Sequence, residues 1–194
     1  MQIQTSHRGV VNSVAALFVA AAAATALVGC STYRDSGGAT SNADHYVNAA
    51  ESTVSRFKLR DSGLTRFFDQ AHAYAVFPKI TKGGAGLGAA HGEGGVVYER
   101  GTHVGFAEVS QVTVGAQLGG QSFSQVVFFQ TPSAFNDFKY GRLKFSGNAS
   151  AVWADSGSAA TNDYREGVAV FALPISGAML EASIGGQEFE YRGK

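Results

Sequence analysis

The chain has 194 residues, with 15 basic and 15 acidic side chains and no formal net charge. That balance, without any long charge run, argues against a nucleic-acid partner, which selects a basic surface. A single cysteine excludes an intramolecular disulfide, so the fold must stand on its core.

Arg8 is the one charged side chain ahead of an apolar stretch from Val10 to Val28, interrupted by Asn12, Ser13 and Thr25. The stretch ends in Leu27-Val28-Gly29-Cys30. A short positive segment holds the cytoplasmic side, an apolar segment inserts, and small residues expose the bond before Cys30 to a peptidase. Residues 1–29 resemble a bacterial lipoprotein signal peptide. The resemblance implies that Cys30 becomes the first mature residue and carries acyl chains, worth about 0.8 kcal/mol per buried CH2. Ser31 follows it in place of Asp, a pattern similar to lipoproteins sorted to the outer membrane. The expected location is therefore the bacterial cell envelope, lipid-anchored at the outer membrane. The competing reading is a transmembrane anchor, since the apolar run is just long enough to span. Residues 30–42 are mostly small and polar and read as a flexible tether behind the acylated cysteine.

The folded domain is expected over residues 43–194, opening with two helices. Val47, Ala50, Val54 and Phe57 recur at helical spacing behind Asp44, and Leu64, Phe67, Phe68 and Ala71 make a second stripe after a break at Ser62-Gly63. From Ala73 the pattern turns to strands. Ala73 to Phe77 is an apolar run closed by Pro78, and Lys82-Gly83-Gly84 reads as a turn. Then every even position from 84 to 94 is Gly or Ala: Gly84, Gly86, Gly88, Ala90, Gly92 and Gly94. A period of two is that of a strand, so one strand face is nearly bare. Glycine weakens a strand, so a bare face implies close approach of another element or tight curvature. Gly115 and Gly119 repeat the pattern more weakly. A phosphate loop fits poorly, because neither G-x-G-x-x-G nor G-x-x-x-x-G-K-[ST] occurs and no helical pattern follows.

Further strands are expected at Val96–Tyr98, Val104–Val109, Gln111–Leu118 and Gln125–Gln130. The last holds Val126-Val127-Phe128-Phe129, a continuous apolar run suited to a strand covered on both faces. One helix interrupts the strands: Thr131 caps it, Pro132 takes its first position, Phe135 and Phe138 face inward, and Gly141 ends it. Leu143–Trp153 reads as extended and Ser156–Arg165 as a polar loop. Gly167–Leu173, Ala178–Ile184 and Gln187–Tyr191 close the chain as strands. The sum is an α+β domain: N-terminal helices followed by a strongly curved or closed, mainly antiparallel β-sheet of about eight or nine strands.

Several strings taken together resemble the SYLF domain. Ala75-Val76-Phe77-Pro78-Lys79, Gly83 to Gly88, and Gly92-Glu93-Gly94-Gly95-Val96-Val97 are similar to its first half. Gly115-Ala116-Gln117-Leu118-Gly119-Gly120-Gln121 and the strand after it are similar to its middle. Ser176-Gly177-Ala178 through Gly186 is similar to its end, with Glu181 where the family usually has a glycine. The resemblance runs from Asp44 to Tyr191. It implies a non-enzymatic module that binds membrane lipids, phosphoinositides in the eukaryotic members, often through an N-terminal amphipathic helix and basic residues. The lipid of a bacterial member stays open. The actin activity of some eukaryotic members rests on regions with no match here. The partners implied are membrane lipids and envelope proteins, with no cofactor.

The leading membrane-contact string is Arg56-Phe57-Lys58-Leu59-Arg60, with Arg66 nearby. Arg56 and Arg60 share a helix face, and basic residues beside aromatics seat a helix on anionic headgroups. The same string fits a solvated face on a core-packed helix. Lys79 and Lys82 flank the expected turn, placed either to meet phosphate headgroups or only to solubilise it. His91, Glu93 and His103 would make a metal set only if their strands pair, and Asp155, Asp163 and Glu166 lack calcium-ligand spacing. Trp153 and Tyr164 flank the polar loop, as core or interface aromatics. No nucleophile and base are placed together by any motif, so no catalytic residue is assigned. The rival to lipid binding is a protein-interaction or structural module of the envelope.

Overall fold

The computed structural model describes residues 39–143, 145, 151–177 and 184–194. The signal segment, Cys30, the tether up to residue 38, most of the segment read as extended before Val152, and the strand expected from Ala178 lie outside these residues. Helix α1 (Ala39–Arg60) buries Ala50, Thr53 and Phe57 along one face. It begins inside the segment read as tether, because small residues carry no packing signal although alanine has the highest helix propensity. A 3-10 turn (Ser62–Leu64) and α2 (Thr65–Gln70) follow and bury Leu64, Phe67 and Phe68.

The main element is a hairpin of β1 (Ala73–Glu99), with 27 residues, and β2 (Thr102–Phe129), with 28. Arg100 and Gly101 form its two-residue turn, both at positive φ (50° and 78°), which matches the twist of the flanking strands. Laid flat, each strand would span roughly 90 Å. A domain of this size has a radius of gyration of about 15 Å. The ribbon therefore doubles back on itself. Its register shifts between Phe77 and Ile80, Ala85 and Leu87, Gly92 and Gly95, and Val97 and Tyr98, and each shift supplies a bend. The first shift absorbs Pro78, which has no N–H for the ladder, and Ser124 Oγ donates to its carbonyl at 2.7 Å.

The glycine ladder lies where the ribbon meets itself. Gly88, Ala90, Gly92 and Gly94 are buried, while Leu87, Ala89, His91 and Glu93 are exposed, so the bare face points inward as a period of two required. A Cβ at Gly92 would sit 2.8 Å from the Ile80 side chain and 3.1 Å from the Lys79 carbonyl. A Cβ at Gly95 would sit 2.5 Å from the Phe77 ring and 2.8 Å from the Ala107 carbonyl. Gly84 meets the backbone of Leu87 and Gly88, and Gly86 and Gly115 lie within β1 and β2. Gly119 differs: it faces open space at a φ of 120°, so it serves the backbone conformation and no close contact.

Strand β2 is central. Its first edge takes β1. On its second edge, residues 121–129 pair antiparallel with β4 (Val168–Gly177), and residues 105–111 pair antiparallel with β5 (Gln187–Gly193). A short β3 (Val152–Trp153) runs parallel to β4. The described residues thus form a mixed, open sheet of five strands whose ends, β1 and β3, do not pair; of the strongly curved or closed sheet expected, the closed form is not seen, and five strands stand in place of the expected eight or nine. Segments that read as separate strands are continuous: Pro78 sits in the first register shift, and Gly83 and Gly84, read as a turn, pair in the ladder with Gly120 and Gly119. The helix expected between strands is α3 (Pro132–Lys139), and a further short helix, α4 (Ser158–Thr161), lies in the segment read as a polar loop.

Side-chain alternation gives the sheet two buried faces. Phe77, Phe123, Val127 and Phe129 pack with Phe135 and Phe138 of α3 and with Phe189 of β5. Val76, Val126, Phe128 and Phe171 pack with α1 and α2, with Phe67 and Phe68 at 5.4 and 4.8 Å from the Phe128 ring. Residues 126–129 are each fully buried, as a strand covered on both faces demands. The α3 signals hold as well: Thr131 Oγ1 accepts from Ala134 N at 3.3 Å, and Gly141 ends the helix at a φ of 64°. A buried amide pair also ties the end of β2 to β5. Gln125 and Gln187 exchange hydrogen bonds at 2.9 and 3.2 Å, and Gln111 Nε2 donates to the Gly185 carbonyl at 2.8 Å.

Adding a methyl at the crossing is expected to be costly. Gly95→Ala should lower the stability by about 1–3 kcal/mol, as overpacking does. Gly120→Ala, whose Cβ would find its nearest neighbour at 3.7 Å, should be neutral or stabilising by up to about 1 kcal/mol. Urea unfolding of the pair checks the contrast; equal midpoints would remove the close-approach role of the ladder.

Candidate functional site

The end of α1 turns through a tight elbow into α2, and Asp61 holds it. Asp61 is 5% exposed. Its carboxylate accepts from Gly63 N at 3.0 Å, Ser158 Oγ at 2.8 Å and Ala159 N at 2.7 Å. It thereby caps the 3-10 turn and fastens α4 beneath the elbow. Burial acts to raise its pKa, but the hydrogen bonds from Ala159, Ser158, Gly63 and Gly157 outweigh it and hold the group below its ordinary value. Two arginines reinforce the clamp. Arg66 donates to the carbonyls of Ala159 and Asn162, with its guanidinium 4.7 Å above the Phe67 ring. Arg60 pairs with Asp155 at 3.1 Å.

On this clamped elbow the predicted basic set divides. Arg56 is exposed, and so is Arg60 beyond its ion pair. Lys58 is half-buried, with Nζ 5.0 Å over the Phe68 ring. Phe57 is fully buried and belongs to the core, so it is no membrane anchor: it continues the buried stripe of Ala50 and Thr53, while Arg56, about 100° away around the helix, is exposed. Arg66 serves the fold. Lys79 is exposed on β1. Lys82 is 1% exposed, because the turn expected around it is continuous strand, opposite Gln121 in the ladder; it cannot meet a headgroup from there. Leu59, which lay within the predicted string without a role of its own, is at 86% exposure the most exposed large apolar side chain described. Its signal was present: an apolar residue off the stripe Ala50, Val54 and Phe57, set between cations.

The other sequence candidates do not converge. Among the described residues no three His, Cys, Asp or Glu side chains are placed to hold a metal ion. His103 Nε2 lies 3.1 Å from the Gly105 carbonyl and its ring packs edge-on against Phe106, with burial and the Lys194 charge lowering its pKa. Asp155 and Asp163 accept from the backbone N–H of Ser156 and Tyr164, the ordinary use of Asp in a loop. Trp153 packs edge-on to Phe123, and Tyr164 lies 5.3 Å from Phe67, so both are core aromatics.

No family model matches the chain. It is similar to Beta cell expansion factor A of Aeromonas veronii, at 24% identity over 158 residues, covering 73% of this chain and 58% of that protein. The chain thus spans under two thirds of that relative's length.

Loss of the Asp61 charge should loosen the elbow in acid. A depressed carboxylate pKa contributes stability that is present above the ordinary aspartate range, near about pH 4, and lost as pH falls through the folded-state value. Asp61→Asn should lower the stability by about 1–3 kcal/mol at neutral pH, by weakening buried hydrogen bonds. It should also flatten the acid limb of the stability profile. Denaturant titrations from neutral to strongly acid pH check this; parallel profiles for the two proteins would rule it out.

Proposed function

We propose that this chain is an acylated envelope lipoprotein whose non-enzymatic, SYLF-like domain binds membrane lipid surfaces through the α1–α2 elbow. The observation that carries the reading is Leu59, 86% exposed with Arg56 and Arg60 beside it on the last turns of α1. Large apolar side chains at the tip of a rigid elbow lose little order on insertion. Burying one leucine is worth about 1.5–3 kcal/mol. Each Arg or Lys near an anionic surface adds about 1 kcal/mol. The sum describes a weak contact. Acylation at Cys30 compensates, because tethering raises the effective lipid concentration to the order of millimolar. In this reading the acyl chains supply attachment and the elbow supplies orientation and headgroup preference. Burial of Phe57 and Lys82 leaves Arg56, Lys58, Leu59 and Arg60 as the contact set, with Lys79 as an exposed cation on β1.

Flotation of a soluble form lacking the signal and Cys30 tests this. It should float with vesicles containing anionic lipid and much less with neutral ones. Leu59→Asp, and separately the pair Arg56→Glu and Arg60→Glu, should each weaken binding by about tenfold or more. High salt should weaken the wild type in parallel. Absence of vesicle binding by the intact domain would replace this reading with a protein-interaction module held at the membrane by its acyl chains alone.

A further inference from the structure

We infer that the cleft between the first turns of α1 and the β1–β2–β5 surface is a binding site for an organic ammonium cation. The cleft encloses about 320 Å³. Its floor is aromatic. Tyr46 reaches from α1 over Gly94, where a Cβ would collide with the ring, and it meets the Phe106 ring edge-on at 6.3 Å. Gly94 has a φ of 67° and lies in the register shift between Gly92 and Gly95, so the bulge lays backbone under Tyr46 and sets Glu93 on the cleft wall. The close approach is thus matched to a concave surface.

The walls are acidic. Glu93, Glu108 and Glu190 line the cleft, and Arg192 is the cation among them. Glu108 and Glu190 stand directly opposite in the antiparallel ladder, an arrangement that opposes sheet formation when both are charged. Arg192 relieves it by pairing with both at 3.1 Å. Glu93 has no ion-pair partner among the described residues. Three carboxylates face one guanidinium, so the cleft keeps an excess of negative charge above two rings. A shallower depression of about 180 Å³ continues along the same face past Glu188 and His91.

Charge and shape select the ligand class. An inorganic divalent ion would require converging ligands, and among the described residues no such group exists. An anion is repelled. An alkylammonium uses both features: its charge meets the carboxylates and its C–H surface packs on the ring faces. The volume suits a small ligand at the lower end of the usual range. Such a group is carried by free amines and by ethanolamine or choline headgroups. The site stands apart from the membrane reading, because a free amine tests it without vesicles.

The full chain, purified in detergent and labelled with 15N, is titrated with choline and with butylammonium, against potassium at equal ionic strength. Saturable amide shifts are expected at Gly94 and Gly193 with the amines and not with potassium. Glu93→Gln, an exposed change that frees no partner, should weaken binding by about three- to fivefold, and Tyr46→Phe should retain it within about twofold. Binding of free amine together with matching shifts from a short-chain phosphatidylethanolamine supports the site with a headgroup source. Binding of free amine alone supports it with a soluble source. Shifts shared with potassium, no saturation, or wild-type affinity in Glu93→Gln would overturn it. Leu59→Asp should bind amine normally, and Glu93→Gln should still float with anionic vesicles, so failure of either reading leaves the other measurable.

Discussion

A two-stranded ribbon of 27 and 28 residues has no room to lie flat in a domain of this size, and the crossing where it doubles back fixes the remaining structure. Backbone must approach backbone and rings there, and only positions without a side chain permit it. Gly92 admits Ile80, Gly95 admits Phe77, and Gly94 admits Tyr46 from α1. The same glycines would weaken an isolated strand by roughly 0.5–1 kcal/mol each. Here that loss is offset by apolar burial on both faces of the sheet, and by the Gln125–Gln187 amide pair that ties β2 to β5.

The local half of this architecture was legible in the sequence. The period-two glycines announced a strand with one bare face, Val126 to Phe129 announced a strand covered on both faces, and Thr131-Pro132 with Gly141 bounded a helix. What sequence reasoning missed was non-local. Pro78, Gly83 and Gly84 carry the same local signal whether they end a strand or continue it, Pro78 in a register shift and the glycines in regular pairing, and partner geometry alone decides between them. That ambiguity divided two long strands into several short ones. It also placed Lys82 at a solvated turn, where continuous pairing opposite Gln121 buries it. Phe57 was misplaced for a related reason: a string of five residues spans more than one helical turn, so its members cannot share one face.

The elbow shows how one buried charge can position an exposed surface. Asp61 satisfies donors from the 3-10 turn and from α4, residues nearly a hundred positions apart in the chain. Arg66 performs the complementary task for orphan carbonyls at Ala159 and Asn162. A polar loop, which read as solvated, is thereby bound to the end of α1. Surface ion pairs such as Arg60–Asp155 add little to this on their own. The buried carboxylate and its backbone donors are what keep Leu59 raised from the surface, where the packing of α1 alone would leave the last turn free to fray.

Formal neutrality concealed a segregation of charge along α1. The last turns carry Arg56, Lys58 and Arg60, while the first turns border Glu93, Glu108 and Glu190. Ten to fourteen residues separate Tyr46 from Arg56 and Arg60, or about 15–21 Å along the helix axis. The Debye length at physiological salt is about 8 Å. The two fields therefore act on their surroundings independently, and a net charge of zero describes neither. An anionic surface would attract one end of α1 and repel the other, and so, in the proposed membrane reading, favour a tilt with the elbow toward the surface. A domain with its charges evenly mixed would have the same composition and no such preference.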